Sequence, residues 1–125
     1  MSENIHVLTV DDSASMRALL RAALTSRGYN VSQAVDGVAA LEWLAGNDSP
    51  VDVIVTDINM PRMDGFGLIE ALRGQPQFRD HPILVLSTES SDEKKARARS
   101  AGATGWIVKP FDAEKLDSAL RKVTH

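Results

Sequence analysis

The sequence contains no cysteine, which removes disulfides, thiolate nucleophiles and thiolate metal sites together and fits a reducing compartment. It also lacks an excess of positive charge, with 14 Lys and Arg against 17 Asp and Glu and a net charge of −3. Binding nucleic acid through its phosphates needs a basic face, so no general affinity for nucleic acid is expected. No apolar run reaches the length of a membrane span or of a signal-peptide core, and Met1 is followed by polar Ser2, Glu3 and Asn4. Membrane insertion is therefore not expected, and the chain reads as cytoplasmic. Aromatic residues are few, at 5%, so the core must be built mainly from aliphatic side chains. No repeat, low-complexity tract or linker composition breaks the 125 residues, which suffice for one core and leave no room for a second. The expectation is a single domain over 1–125 with no further domain after the last helix.

What is present is a regular alternation. Ile5 to Val10, Val31 to Val35, Val53 to Asp57, Ile83 to Ser87 and Trp106 to Lys109 read as short buried strands. The unbroken apolar run Val53-Ile54-Val55 fits a strand covered on both faces, as in a parallel sheet. Between the strands, apolar residues recur at helical spacing. Met16, Leu19, Leu20, Ala23 and Leu24 follow a cap at Asp12 or Ser13, Val38, Leu41 and Leu44 follow Asp36-Gly37, and Leu68, Ile69 and Leu72 follow Asp64. Ser90 and Glu93 have capping-box spacing for a fourth helix through Ala101, and Leu116, Ala119, Leu120 and Val123 mark a fifth. Gly28, Gly46, Gly74 and Gly102 stand where the first four helices should stop. Asn47 to Pro50 and Gln75 to Pro82 read as polar connections. Strands alternating with helices call for right-handed crossovers and a parallel sheet with helices on both faces. The expected fold is therefore α/β, a doubly wound five-stranded flavodoxin-like sheet of order 2-1-3-4-5 with five helices, in which ligands collect beyond the C-terminal strand ends.

The chemistry-bearing residues sit at those ends. The first strand runs into Asp11-Asp12, the third ends in Asp57, the fourth in Ser87 and the fifth in Lys109. The expected strand order brings them to one rim. Three carboxylates so close repel one another and call for a cation. An all-oxygen set without His or Cys disfavours zinc and suits Mg2+, which binds a few carboxylates together with water and phosphate oxygens. Ser87 and Lys109 are then placed to meet a second anion. An aspartyl carboxylate can attack phosphorus to give an acyl phosphate while cations stabilise the transferring group. Taken singly, each residue has a plainer explanation: Asp12 can cap a helix, Asp64-Gly65 can make a turn, Lys109 can be a solvated lysine and Trp106 half-buried packing. Trp43 reads as packing, and the three histidines have no metal-ligand spacing.

Asp11-Asp12, Asp57, the Met60-Pro61-x-Met63-Asp64-Gly65 loop, Ser87 and Lys109-Pro110, in this order and spacing, resemble the receiver domain of two-component response regulators. The resemblance spans essentially the whole chain and extends to stand-alone CheY-type chemotaxis regulators through Asp11-Asp12-Ser13-x-Ser15-Met16-Arg17, Thr88-Glu89-Ser90 and Ala101-Gly102-Ala103-x-Gly105-Trp106. It carries the same strand order. It implies that Asp57 accepts a phosphoryl group from a histidine kinase, that Asp12, Asp57 and the Asn59 backbone carbonyl bind Mg2+, and that Asp11 acts chiefly through water. Ser87 and Lys109 would hold the phosphoryl group, Thr88 would line the access to it, and Trp106 would follow Ser87 inward. Trp106 stands where many chemotaxis regulators have Tyr, and Ser87 where Thr is common. A cis bond between Lys109 and Pro110 is also implied.

The function so implied is a monomeric switch in bacterial chemotaxis or motility that catalyses only its own phosphorylation and dephosphorylation. Its partners would be a kinase, a target such as the flagellar motor switch, and a phosphatase. Glu93-Lys94-Lys95-Ala96-Arg97-Ala98-Arg99 offers only alanines to the core, so the fourth helix should lie at the low-stability end of the fold. With the fifth strand and the fifth helix, it is the expected target face. The alternatives are a relay intermediate or phosphate sink, a receiver module of a larger regulator, an aspartyl-phosphate phosphatase and a flavodoxin-like cofactor binder. The phosphatase would want a second acid where Asn59 stands. The cofactor binder would want a hydroxyl- and glycine-rich loop where Asp11-Asp12 stands.

Overall fold

The structure, a computed structural model, describes residues 4–46 and 51–124. Residues 1–3, with the polar Ser2 and Glu3, the 47–50 connection and residue 125 lie outside the described residues. Five strands, β1 (His6–Val10), β2 (Asn30–Ala34), β3 (Val53–Thr56), β4 (Ile83–Ser87) and β5 (Gly105–Val108), alternate with α1 (Ala14–Thr25), α2 (Gly37–Ala45), α3 (Gly65–Arg73), α4 (Asp92–Ala101) and α5 (Ala113–Val123). They form one parallel sheet of order 2-1-3-4-5, as expected. Among the described residues, no helix is long and apolar enough to cross a membrane.

Side-chain alternation along the strands divides the core in two. Val53 and Val55 of β3 join Leu84, Leu86, Leu20, Leu24, Leu116 and Leu120, so one face of the sheet is covered by α1 and α5. Ile54 joins Leu8, Val10, Ile83, Val85, Leu44, Leu68 and Leu72 on the other face, under α2, α3 and α4. The helices are not held equally. α3 buries Phe66, Leu68, Ile69 and Leu72, whereas α4 buries only Ala98. At about 1.5–3 kcal/mol per large side chain, that is roughly 6–12 kcal/mol for α3, against about 0.8 for one methyl group.

β1 starts at His6, β3 stops at Thr56 and β5 runs Gly105–Val108, each one residue off the sequence reading; four further departures have a visible reason. α1 starts from Ser13, one of the two expected caps, but its C-cap is Ser26 rather than Gly28. The Thr25 and Ser26 hydroxyls donate back to the carbonyls of Arg21 and Ala23 at 2.7 and 2.9 Å, satisfying the helix end before Gly28 turns the chain at φ 93°. β2 starts one residue early because Asn30 pairs with His6, which leaves Val35 beyond the sheet and 44% exposed. α4 is capped by Ser91, whose hydroxyl accepts from the Lys94 amide at 3.2 Å, so the Ser90–Glu93 capping box does not form. The 75–82 connection contains a short 3-10 turn, Pro76–Phe78.

Candidate functional site

Register sets the rim. Val10 pairs with Thr56, and the Asp57 amide donates to the Val10 carbonyl at 2.9 Å, so Asp11 and Asp57 leave the sheet side by side. Ser87 pairs with Val108, and the Lys109 amide donates to the Ser87 carbonyl at 2.8 Å. The Lys109–Pro110 peptide is cis. One carboxylate oxygen from each of Asp11, Asp12 and Asp57 lies within 4.8 Å of the other two. The Lys109 ammonium bridges two of them, donating to Asp11 Oδ2 at 2.8 Å and to Asp57 Oδ2 at 2.9 Å. Backbone amides take the remaining oxygens, Ser13 N–H on Asp11 Oδ1 at 2.9 Å and Ile58 N–H on Asp57 Oδ1 at 2.6 Å. Asp11 is buried and Asp12 exposed.

Burial works against the Lys109 charge, but its bonds to Asp11 and Asp57 outweigh that and raise its pKa above the ordinary lysine value. Three carboxylates paired with one ammonium leave two formal negative charges among the described residues. This excess, presented by oxygen donors alone, fits a hard divalent cation such as Mg2+.

The next ring of residues is tied to Glu89, to which the sequence reading gave no role. The Glu89 carboxylate accepts from Asn59 Nδ2 at 3.1 Å and pairs with Lys94 at 3.0 Å. These partners, Asn59 first, hold its acid below the usual carboxylate range. Its amide donates to the Ser87 hydroxyl at 3.1 Å, and its carbonyl accepts from the Trp106 indole at 2.9 Å. Ser87 is fully buried, Trp106 half-buried and Thr88 exposed, and no hydrogen bond joins any of the three to the carboxylates among the described residues. The sequence does hold a signal for Glu89. It stands two residues past the β4 end just as Asn59 stands two residues past Asp57, and β3 and β4 are neighbours.

Arg17 and the Asp36–Arg62 pair also escaped the sequence reading. Arg17 donates to the Asp11 carbonyl at 2.7 Å. Arg62 donates from Nε to Asp36 Oδ2 at 2.8 Å and from a terminal nitrogen to Oδ1 at 3.0 Å, which holds Asp36 below its ordinary pKa.

The chain is similar to known proteins over nearly its whole length. The profile of the response regulator receiver domain matches residues 7–121. Chemotaxis protein CheY-3 of Vibrio cholerae is 37% identical over 124 residues, covering 98% of this chain and 94% of that protein. Response regulator MprA of Mycobacterium tuberculosis is 40% identical over 118 residues, covering 94% of this chain and 50% of that protein. The structure of chemotaxis response regulator CheY4 of Vibrio cholerae superposes with a TM-score of 0.89 at 45% identity, covering 97% of this chain and 99% of that one.

Proposed function

The chain belongs to the response regulator receiver domain family, and from that premise we propose that Asp57 accepts a phosphoryl group from a histidine kinase and that the phosphorylated chain changes its binding to a target protein. The observation that carries this reading is the Lys109 ammonium lying on both Asp57 and Asp11, within a cluster of three carboxylates. An Asp57 oxygen attacks the phosphorus of a phosphohistidine, an acyl phosphate forms, and the imidazole departs. Lys109, already 2.9 Å from Asp57, is in reach of the phosphoryl oxygens and stabilises their charge. Asp12, Asp57 and the Asn59 carbonyl would hold Mg2+, which when bound neutralises negative charge on the transferring group. Asp11 has one oxygen on Ser13 and the other on Lys109, which supports an indirect part through water.

The new phosphoryl group accepts from the Ser87 hydroxyl, and turning that side chain towards it strains the bond Ser87 now accepts from the Glu89 amide, with Thr88 at the entrance. Since Trp106 is bonded to the same Glu89, a change there reaches β5. The target face is α4, β5 and α5, where α4 and β5 enclose a groove of about 230 Å³ lined by Lys95, Ala98, Arg99, Thr104 and Trp106. The chain is a cytoplasmic, monomeric switch, not an enzyme with a separate substrate. The chemotaxis relatives support a motility pathway, in which the target is a component of the flagellar motor switch and a phosphatase resets the signal.

Phosphodonor labelling with Mg2+ should give one hydroxylamine-labile phosphate in the wild type and none in Asp57→Asn. Stoichiometric, hydroxylamine-stable, Mg2+-independent label would contradict the mechanism. A relay, phosphate-sink or modular role is the second reading, favoured by the MprA match, in which the chain covers half of a longer regulator. Return of the label to a histidine phosphotransfer protein would support it over motor binding.

A further inference from the structure

We propose that Arg62 and Asp36 are positioning residues for the acceptor site, and that their ion pair sets the loop after Asp57 in the conformation that offers the Asn59 carbonyl to the metal. The proposal rests on the receiver reading for the role of Asn59, and on this chain's own geometry for the rest.

Arg62 is the one non-glycine among the described residues with a positive φ, at 63°. The Met63 amide donates to the Pro61 carbonyl at 2.6 Å and closes a three-residue turn around it. Such a γ-turn of positive φ is rare and strained, and arginine has no intrinsic preference for it. Something outside the turn must therefore hold it.

The fork onto Asp36 does so. Asp36 is 2% exposed, and it is itself fixed as the cap of α2, accepting from the Ala39 amide at 2.9 Å. The cap is made by backbone amides of α2, so the guanidinium adds a partner from outside the helix. Arg62, itself 54% exposed, gains a rigid, buried partner that takes two of its donors in parallel, so the hold comes from the fork's geometry. Beside it, the Gly37 amide donates to the Met63 carbonyl at 3.1 Å, and a Cβ on Gly37 would lie 2.6 Å from the Met63 side chain. The α2 turn and the loop are thus in close contact.

The base of the loop is closed by the Gly65 amide on the Ile58 carbonyl at 2.8 Å, which encloses both Asn59 and the Arg62 turn. The Asn59 side chain is tied across to Glu89 at 3.1 Å on the exposed side. The loop after Asp57 therefore spans two neighbouring turns, held by a buried carboxylate on the α2 side and by an exposed pair on the α4 side.

Calorimetric titration with Mg2+ and amide exchange in metal-free protein test the proposal. Arg62→Met should bind Mg2+ about tenfold more weakly, the usual scale for losing a group that orients a metal ligand. Its Gly37 and Met63 amides should exchange faster before any metal is added. Arg62→Lys, which keeps charge without the fork, should fall between. Arg62→Gly relieves the strained φ yet loses the hold, so it should weaken binding as Arg62→Met does. Asp36→Asn keeps the helix cap and should reproduce the Arg62→Met defect from the other side. Should Asp36→Asn fail to fold, Arg62→Met decides alone. Wild-type affinity in Arg62→Met would overturn the proposal and leave the receiver reading standing, as would a lowered thermal midpoint with Mg2+ affinity unchanged, which marks a merely structural pair. A wild type that binds no Mg2+ would overturn both.

Discussion

Lys109 reaches the rim from the end of β5 and holds carboxylates delivered by β1 and β3, so three strands meet in one side chain. In the metal-free protein it does part of a cation's work. Removing it should make the site more negative and more attractive to a divalent ion. Two unit charges about 4 Å apart interact by roughly 4 kcal/mol at an effective dielectric of 20, and solvent at the open side reduces this. Lys109→Met should therefore bind Mg2+ about tenfold more tightly by calorimetry, a conservative share of that energy. The same variant should lose the Trp106 fluorescence response to a phosphate analogue. Weaker Mg2+ binding in Lys109→Met would show that the lysine organises the carboxylates more than it competes for them. The rim residues were legible because a carboxylate, hydroxyl or amine ending an apolar run has few other reasons to be there. Their partners were not. Lys109 and Asp11 are 98 positions apart, and only strand register makes them neighbours.

Among the helices α4 is the exception, because it buries a single alanine and is held mainly by polar contacts, several of them from Arg73 at the end of α3. Arg97 lies 4.0 Å over the Phe66 ring, Lys94 pairs with Glu89, and Arg73 donates to the Gly102 carbonyl at 2.8 and 3.0 Å. Arg73 also bonds the carbonyls of Phe78, Arg79 and His81, which welds the end of α4 to the connection before β4. The C-terminal end is thus fixed firmly and the N-terminal end lightly. Glu89→Gln removes an exposed ion pair of modest worth, so amide exchange in the first turn of α4 should quicken about two- to fivefold, with α3 unchanged. Equal acceleration in both helices would mean that the pair supports the whole domain. The alanine-only apolar stripe already marked α4 as weakly anchored in the sequence. Its starting residue was not legible, since adjacent Ser90 and Ser91 are equally good caps and only the structure shows Ser91 accepting from the Lys94 amide.

Over the whole molecule, the alternating pattern of apolar runs and helical stripes revealed a parallel sheet with helices on both faces, while its strand order came with the family resemblance. The ties between distant turns, such as Asp36 to Arg62, depend on packing that no local pattern encodes. One such tie joins α5 to the end of α1. The Tyr29 hydroxyl donates to Asp117 at 2.5 Å, and Arg27 and Arg121 flank the same carboxylate. Burial, and then the Asp117 bond, push the Tyr29 pKa up from 10.0 to about 12. The bond from Tyr29 is the first cause holding Asp117 below its ordinary value. Because the folded state keeps the phenol proton longer, this contribution to stability is complete below pH 10 and is lost as pH rises towards 12. Urea unfolding at stepped pH should show that decline in the wild type and a flatter alkaline limb in Tyr29→Phe; identical limbs would remove Tyr29 as its source. Asp117 works in the opposite sense, its share disappearing as pH falls through the carboxylate range.

β5 is an edge strand whose neighbouring residues Trp106 and Ile107 point to opposite faces of the sheet, one into each half of the core. The sheet lies between the two halves like a page between the leaves of a book, and β5 puts one side chain on each. A displacement of one short strand is therefore printed on both leaves at once. A partner that touched only α4 and a partner that touched only α5 would read the same event from opposite pages.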